Sequence, residues 1–91
     1  MRSWGGLARY NLKVTRTFEK SYRSLDAVYR MRVDKAVAQL EEDPRLGKPL
    51  RGPLSGRWSL RVGDHRVIYI VDDEESSVVL LDVQHRRSVY R

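Results

Sequence analysis

From Tyr10 to Thr15 apolar and polar positions alternate, with Tyr10, Leu12 and Val14 on one side and Asn11, Lys13 and Thr15 on the other. A strand points successive side chains to opposite faces, so this period of two predicts a first strand with one buried side. From Phe18 the period lengthens. Phe18, Tyr22, Leu25, Tyr29, Val33, Ala36, Val37 and Leu40 recur mostly at steps of three and four, which sets them on one helical stripe, and the positions between them are largely Arg, Lys, Glu and Asp. Ser24 and Asp26 flank Leu25 and both favour N-caps, so the stripe is expected to form a helical hairpin bent near Leu25. The second helix should stop at Glu42 or Asp43, because Pro44 biases the residue before it away from helical geometry.

Pro44 to Gly56 holds three prolines and three glycines and reads as a loop. Beyond it Trp58, Leu60 and Val62 alternate with Arg57, Ser59 and Arg61, giving a strand with one apolar face and one polar, basic face. Gly63-Asp64 supplies the chemistry of a tight hairpin turn. The run Arg66 to Val71 is apolar on both faces and suits a central strand; Asp72 to Ser77 is an acidic loop, and Val78 to Val83 is a last, mostly apolar strand. The pattern predicts an α+β fold: a strand, a helical hairpin, then a three-stranded antiparallel meander, forming a curled four-stranded sheet with the helices on one face. Residues 1–8, with paired glycines and no usable period, are expected to be a flexible N-terminal lead, and residues 9–91 a single domain.

Charge narrows the choice of partner. The 91 residues carry 18 Lys and Arg against 12 Asp and Glu, a formal net charge of +6, which favours nucleic acid, an anionic surface or an acidic protein. Between Arg45 and Arg66 stand Arg45, Lys48, Arg51, Arg57, Arg61 and Arg66 against Asp64 alone, a local excess of five positive charges. Arg57, Arg61, Arg66 and Arg86 are expected to form a cationic concave surface. Arginine outnumbers lysine 14 to 4, and its planar fork binds phosphate bidentately and stacks on bases. Val83 to Arg91 adds His85, Arg86, Arg87, Tyr90 and Arg91 directly behind the last strand.

Other chemistries find little support. There is no cysteine for a disulfide, a thiolate nucleophile or a Cys-based zinc site, which fits a cytoplasmic protein. No segment approaches the roughly 20 apolar residues that span a bilayer, and residues 1–8 are too short in apolar content for a signal peptide, so no membrane association is expected. Gly-rich phosphate loops, HExxH and supported nucleophilic serines are missing, and Asp72 to Glu75 reads as a solvated hairpin tip. Neither a metal nor a cofactor is expected.

Three blocks in order, Leu50-Arg51-Gly52, then Trp58 to Tyr69, then His85 to Tyr90, resemble the RelE and ParE toxin superfamily, the RelE branch most closely. The resemblance implies a compact toxin that cleaves messenger RNA in the ribosomal A site and is held inactive by a cognate, acidic, wrapping antitoxin of the RelB-like type. It also implies catalytic roles for Arg61, Arg66, Arg86 and Tyr90, with Arg51, Arg57, His85 and Arg87 as RNA contacts. This chain departs from the pattern in two places. Ser59 stands where some members carry a lysine, two residues before Arg61, and the spacing from Arg86 to Tyr90 is shorter than in some members.

Metal-independent RNA cleavage by the ribose 2′-hydroxyl needs a proton removed, extra negative charge stabilised and the leaving oxygen protonated. Fixed cations usually make the largest contribution, and the arginines suit that task, although a guanidinium stays protonated and is a poor base. His85, His65 and Tyr90 are the proton-handling candidates, Tyr90 also suiting base stacking. Two other functions stay open at this point: a ParE-like inhibitor of DNA gyrase, and a non-catalytic nucleic-acid-binding module.

Overall fold

The computed structural model describes residues 9–85. The expected N-terminal lead, residues 1–8, therefore lies outside the described residues. The described chain runs β1 (Asn11–Val14), α1 (Arg16–Arg23), α2 (Ala27–Glu42), β2 (Lys48–Pro49), a 3-10 turn (Gly52–Leu54), β3 (Trp58–Val62), β4 (His65–Asp72) and β5 (Ser77–His85).

The helical hairpin forms for local reasons. The Thr15 side chain caps α1 by accepting from the Phe18 N–H, and the Asp26 carboxylate caps α2 by accepting from the Tyr29 N–H at 3.0 Å. Ser24 closes α1, so the two N-cap formers around Leu25 end one helix and begin the next. Asp43 closes α2, one residue before Pro44.

The strands form one open, mixed sheet in the order β1-β5-β4-β3-β2, with β1 parallel to β5 and the other pairs antiparallel. β4 is the central strand, as its two apolar faces require. The sheet gains a strand over the expected four. Within the Pro/Gly loop Lys48 pairs with Ser59 and Pro49 with Trp58, adding β2 at one edge. A proline fits an edge strand, where its missing N–H leaves no ladder bond unmade. The glycine before it is equally specific. A Cβ on Gly47 would lie 2.5 Å from the Ser59 carbonyl oxygen, so only a glycine lets this backbone approach β3.

Both helices cover the same sheet face. Phe18, Val33, Val37 and Leu40 from the helical stripe pack with Val62, Val67, Tyr69, Val78, Leu80 and Val83 in one core. Val14 departs from the expected buried side of β1. It is 51% exposed, because it lines the open groove between β1 and the two helices rather than the closed core.

β5 changes phase along its length. Tyr69 pairs with Leu80 but Ile68 pairs with Asp82, which leaves Leu81 as an extra residue at a bulge. Leu80 and Val83, three residues apart, consequently both join the core. At the other end of the sheet the hairpin turn behaves as its sequence suggests. Val62 pairs with His65 across Gly63-Asp64, and Gly63 takes a φ of +60°, in the left-handed region that glycine occupies without strain.

Candidate nucleic-acid interface

The β3–β4 hairpin decides which charges meet. Arg61 and Arg66 are directly paired across it, so their side chains leave the sheet together on one face, and Leu60, Val62 and Val67 leave on the other, toward the helices. Like charges placed directly opposite each other destabilise a strand pair. Ser59, two residues before Arg61, shares its face, and Lys48 shares it through its pairing with Ser59. Gln84 joins them through its pairing with Arg66. A cavity of about 400 Å³ opens between β2 and this hairpin, lined among others by Gly47, Lys48, Ser59, Arg61 and Arg66. Among the described residues no acidic side chain lines it, and none makes an ion pair with Lys48, Arg61 or Arg66.

Three cations around a cavity without a carboxylate make a site for an anion. The backbone that holds them is anchored from beneath. The Gly47 N–H donates to the Tyr69 phenol oxygen at 3.0 Å, and Tyr69 is fully buried in the core, stacked with Trp58 at 6.3 Å. Burial pushes the Tyr69 phenol above its ordinary range, while the Gly47 N–H pulls the other way, so the phenol stays protonated and keeps a lone pair for that bond.

The remaining expected site residues divide. Arg51 and Arg57 are exposed and flank the 3-10 turn at the β2–β3 end, where the Leu50 N–H bonds the Arg57 carbonyl at 2.8 Å. Arg86, Arg87 and Tyr90 lie outside the described residues. His85 and His65 are paired with each other across β4 and β5 and sit on the helix side of the sheet, opposite Arg61 and Arg66. Their rings meet edge to face at 4.8 Å, and the Tyr29 ring of α2 closes on His65 at 4.4 Å. His65 is buried, with no hydrogen-bond partner for Nδ1 among the described residues. Burial first, and the nearby His85 second, hold the His65 imidazole below its usual range, with Asp64 and Asp26 opposing. A neutral, buried imidazole on the far face is a packing element for the hairpin, not a partner of the arginine pair.

The acidic hairpin tip is tied to the fold. Asp73 accepts from the Tyr10 hydroxyl and from Arg45, both at 2.6 Å, which holds its carboxyl below the ordinary range and removes Arg45 from the free cations of the loop.

Against this geometry the comparisons are consistent with one another. The family model for the ParE toxin of type II toxin-antitoxin systems matches residues 10–90. Toxin RelG of Mycobacterium tuberculosis is 38% identical over 84 residues, covering 90% of this chain and 97% of that protein. Toxin RelE of the same organism is 34% identical over 84 residues, covering 90% of this chain and 87% of its own length. Among solved structures, the toxin-antitoxin complex RelBE2 of M. tuberculosis aligns with a TM-score of 0.77 at 36% identity, over 88% of this chain and 94% of that one. The intact RelBE complex of E. coli aligns with a TM-score of 0.72 at 29% identity, over 84% of this chain and 95% of that one.

Proposed function

The chain belongs to the RelE/ParE superfamily of type II toxin-antitoxin toxins, on its RelE-like branch, and from that premise we propose that it is a ribosome-dependent endoribonuclease cleaving messenger RNA in the ribosomal A site. The observation that carries this reading is the Arg61–Arg66 pair. Two arginines facing each other across a hairpin break the usual rule for cross-strand pairs, and such violations concentrate at functional sites. A bound phosphate between them turns the repulsion into attraction.

In the reaction the ribose 2′-oxygen attacks the adjacent phosphorus. The 2′-hydroxyl gives up its proton, a bond from O2′ to phosphorus forms, the bond from phosphorus to the 5′-oxygen breaks, and the 5′-oxygen takes up a proton, leaving a 2′,3′-cyclic phosphate and a 5′-hydroxyl. Arg61, Arg66 and Arg86 stabilise the charge that builds on the phosphoryl oxygens, the contribution that is usually largest. Tyr90 stacks on a base or orients the ribose. Arg51, Arg57 and Arg87 hold the RNA backbone, whereas His85, expected from the sequence to join them, lies on the helix side beside His65 and is left out of that contact; no metal ion takes part. A site of arginines positions and stabilises better than it moves protons, so the ribosome supplies much of the rate by holding the message in line for attack. The cognate inhibitor is an acidic, RelB-like antitoxin that neutralises the same positive surface, and the protein acts in the cytoplasm, where ribosome and message are found.

Primer extension on a message translated by purified ribosomes tests the reading. Cuts at codon-phased positions that depend on ribosomes are the expected result. No cleavage, together with relaxed plasmid accumulating in a gyrase supercoiling assay, would replace it with gyrase poisoning, which the match to the ParE model keeps as the second reading.

A further inference from the structure

We infer that Lys48 is a further phosphate-binding cation of this site, delivered from the neighbouring strand to the place in front of Ser59. The inference rests on the ribonuclease reading for its consequence in catalysis, but its geometry is independent of it. Lys48 and Ser59 are directly paired, and both line the cavity that holds Arg61 and Arg66. Directly opposed side chains in an antiparallel pair begin only about 5 Å apart, so a lysine on one strand covers the space above its short partner on the other. A serine at 59 leaves that space open and adds a hydroxyl that donates to a phosphoryl oxygen.

Three observations show that Lys48 is held there and is not an incidental surface charge. Gly47 binds the buried Tyr69 phenol through its N–H and packs against the Ser59 carbonyl so closely that no other residue fits. Pro49, paired with Trp58, stiffens the backbone on the other side. Between the two, Lys48 is exposed and makes no ion pair among the described residues. By contrast Arg45, three residues earlier, is spent on Asp73. The result is a row of cations across three strands, Lys48 on β2, Arg61 on β3 and Arg66 on β4, with the Ser59 hydroxyl among them. Its spacing follows the sheet, and it suits a polyanion with successive phosphates rather than one isolated anion.

The test uses the full chain with four forms: wild type, Lys48→Ala, Lys48→Arg, and the relocation variant Lys48→Ala with Ser59→Lys. Two readouts are taken, ribosome-dependent cleavage rate and the salt dependence of binding to a short single-stranded RNA. Lys48→Ala is expected to slow cleavage about 10- to 100-fold and to lower the magnitude of the salt slope by about one. Lys48→Arg should retain most of both. The relocation variant should recover both, because it moves the ammonium to the other member of the same strand pair. A Lys48→Ala protein that cleaves and binds like wild type, or a relocation variant no better than Lys48→Ala, would overturn the inference. If wild type cleaves nothing, the ribonuclease reading fails while the salt slope still decides whether Lys48 contacts phosphate. Circular dichroism on each form verifies folding, which an exposed position should preserve.

Discussion

The two faces of the β3–β4 hairpin are built from alternate residues of the same segment, yet they obey opposite rules. On the helix side Leu60, Val62, Val67 and Tyr69 fill a closed core, and even the titratable member, His65, is kept neutral by burial. On the other side Ser59, Arg61 and Arg66 gather like charges at direct pairing positions, beside Lys48. The first face contributes stability through buried apolar area. The second is tolerated because the first is strong. Stability and the proposed recognition are separated here by a single residue step along the chain, so the two should respond independently to mutation.

The largest effect expected is a reversal between the faces. Tyr69→Ala empties a fully buried site and should cost about 3–5 kcal/mol of stability, enough to leave a small domain largely unfolded. Arg61→Ala removes a charge from a repelling pair, so its unfolding midpoint in denaturant should stay at or slightly above wild type, while cleavage falls by roughly 10²- to 10³-fold. Arg61→Ala destabilised as much as a core variant would show that the charged face is part of the core, and the comparison would fail.

Much of this division can be read along the chain, and the parts that cannot have specific causes. The alternation of Trp58 to Val62, followed by the two-residue turn Gly63-Asp64, fixes the hairpin register, and with it the meeting of Arg61 and Arg66. The N-cap residues around Leu25 fix the break between the helices. β2 is different, since two residues carry no period. It forms because Gly47 reaches a phenol 22 positions away and can approach β3 closely, neither of which is written locally. In the sequence Lys48 is therefore one loop charge among several. His85 is concealed by the bulge at Leu81, which shifts the phase of β5. An unbroken alternation from Leu80 would have turned His85 toward the arginines, and the extra residue turns it to the helix side instead. Nothing in the apolar run Val78 to Leu81 marks where the phase slips.

A smaller effect tests the link between the faces. Tyr69 fills the core with its ring, and its hydroxyl accepts from the Gly47 N–H, next to Lys48 at the start of β2. Tyr69→Phe keeps the ring and removes the acceptor for the Gly47 N–H. It should cost about 0.5–1.5 kcal/mol and, by loosening β2, weaken RNA binding in the same sense as Lys48→Ala. Hydrogen exchange at the Gly47 amide should rise in this variant. Lost stability with unchanged exchange at Gly47 would mean the phenol supports the core alone.

The smallest effect concerns the buried imidazole of His65. His65 titrates below its ordinary value of 6.5 in the folded state, through burial first and the proximity of His85 second, with Asp64 and Asp26 only partly offsetting. The unfolded chain then binds more protons than the folded one between the two values, so stability rises with pH across that window. The contribution is fully present above about pH 6.5 and is lost as the pH falls through the unfolded value toward the folded one. Below both it stays lost. Urea unfolding followed from pH 7.5 to 5 should show this decline, and His65→Phe, which fills the site with a ring that cannot charge, should flatten it. RNA binding at the opposite face, as proposed, should weaken only as far as the hairpin itself loosens. A pH profile unchanged by His65→Phe would assign the decline to other groups and leave His65 as packing alone.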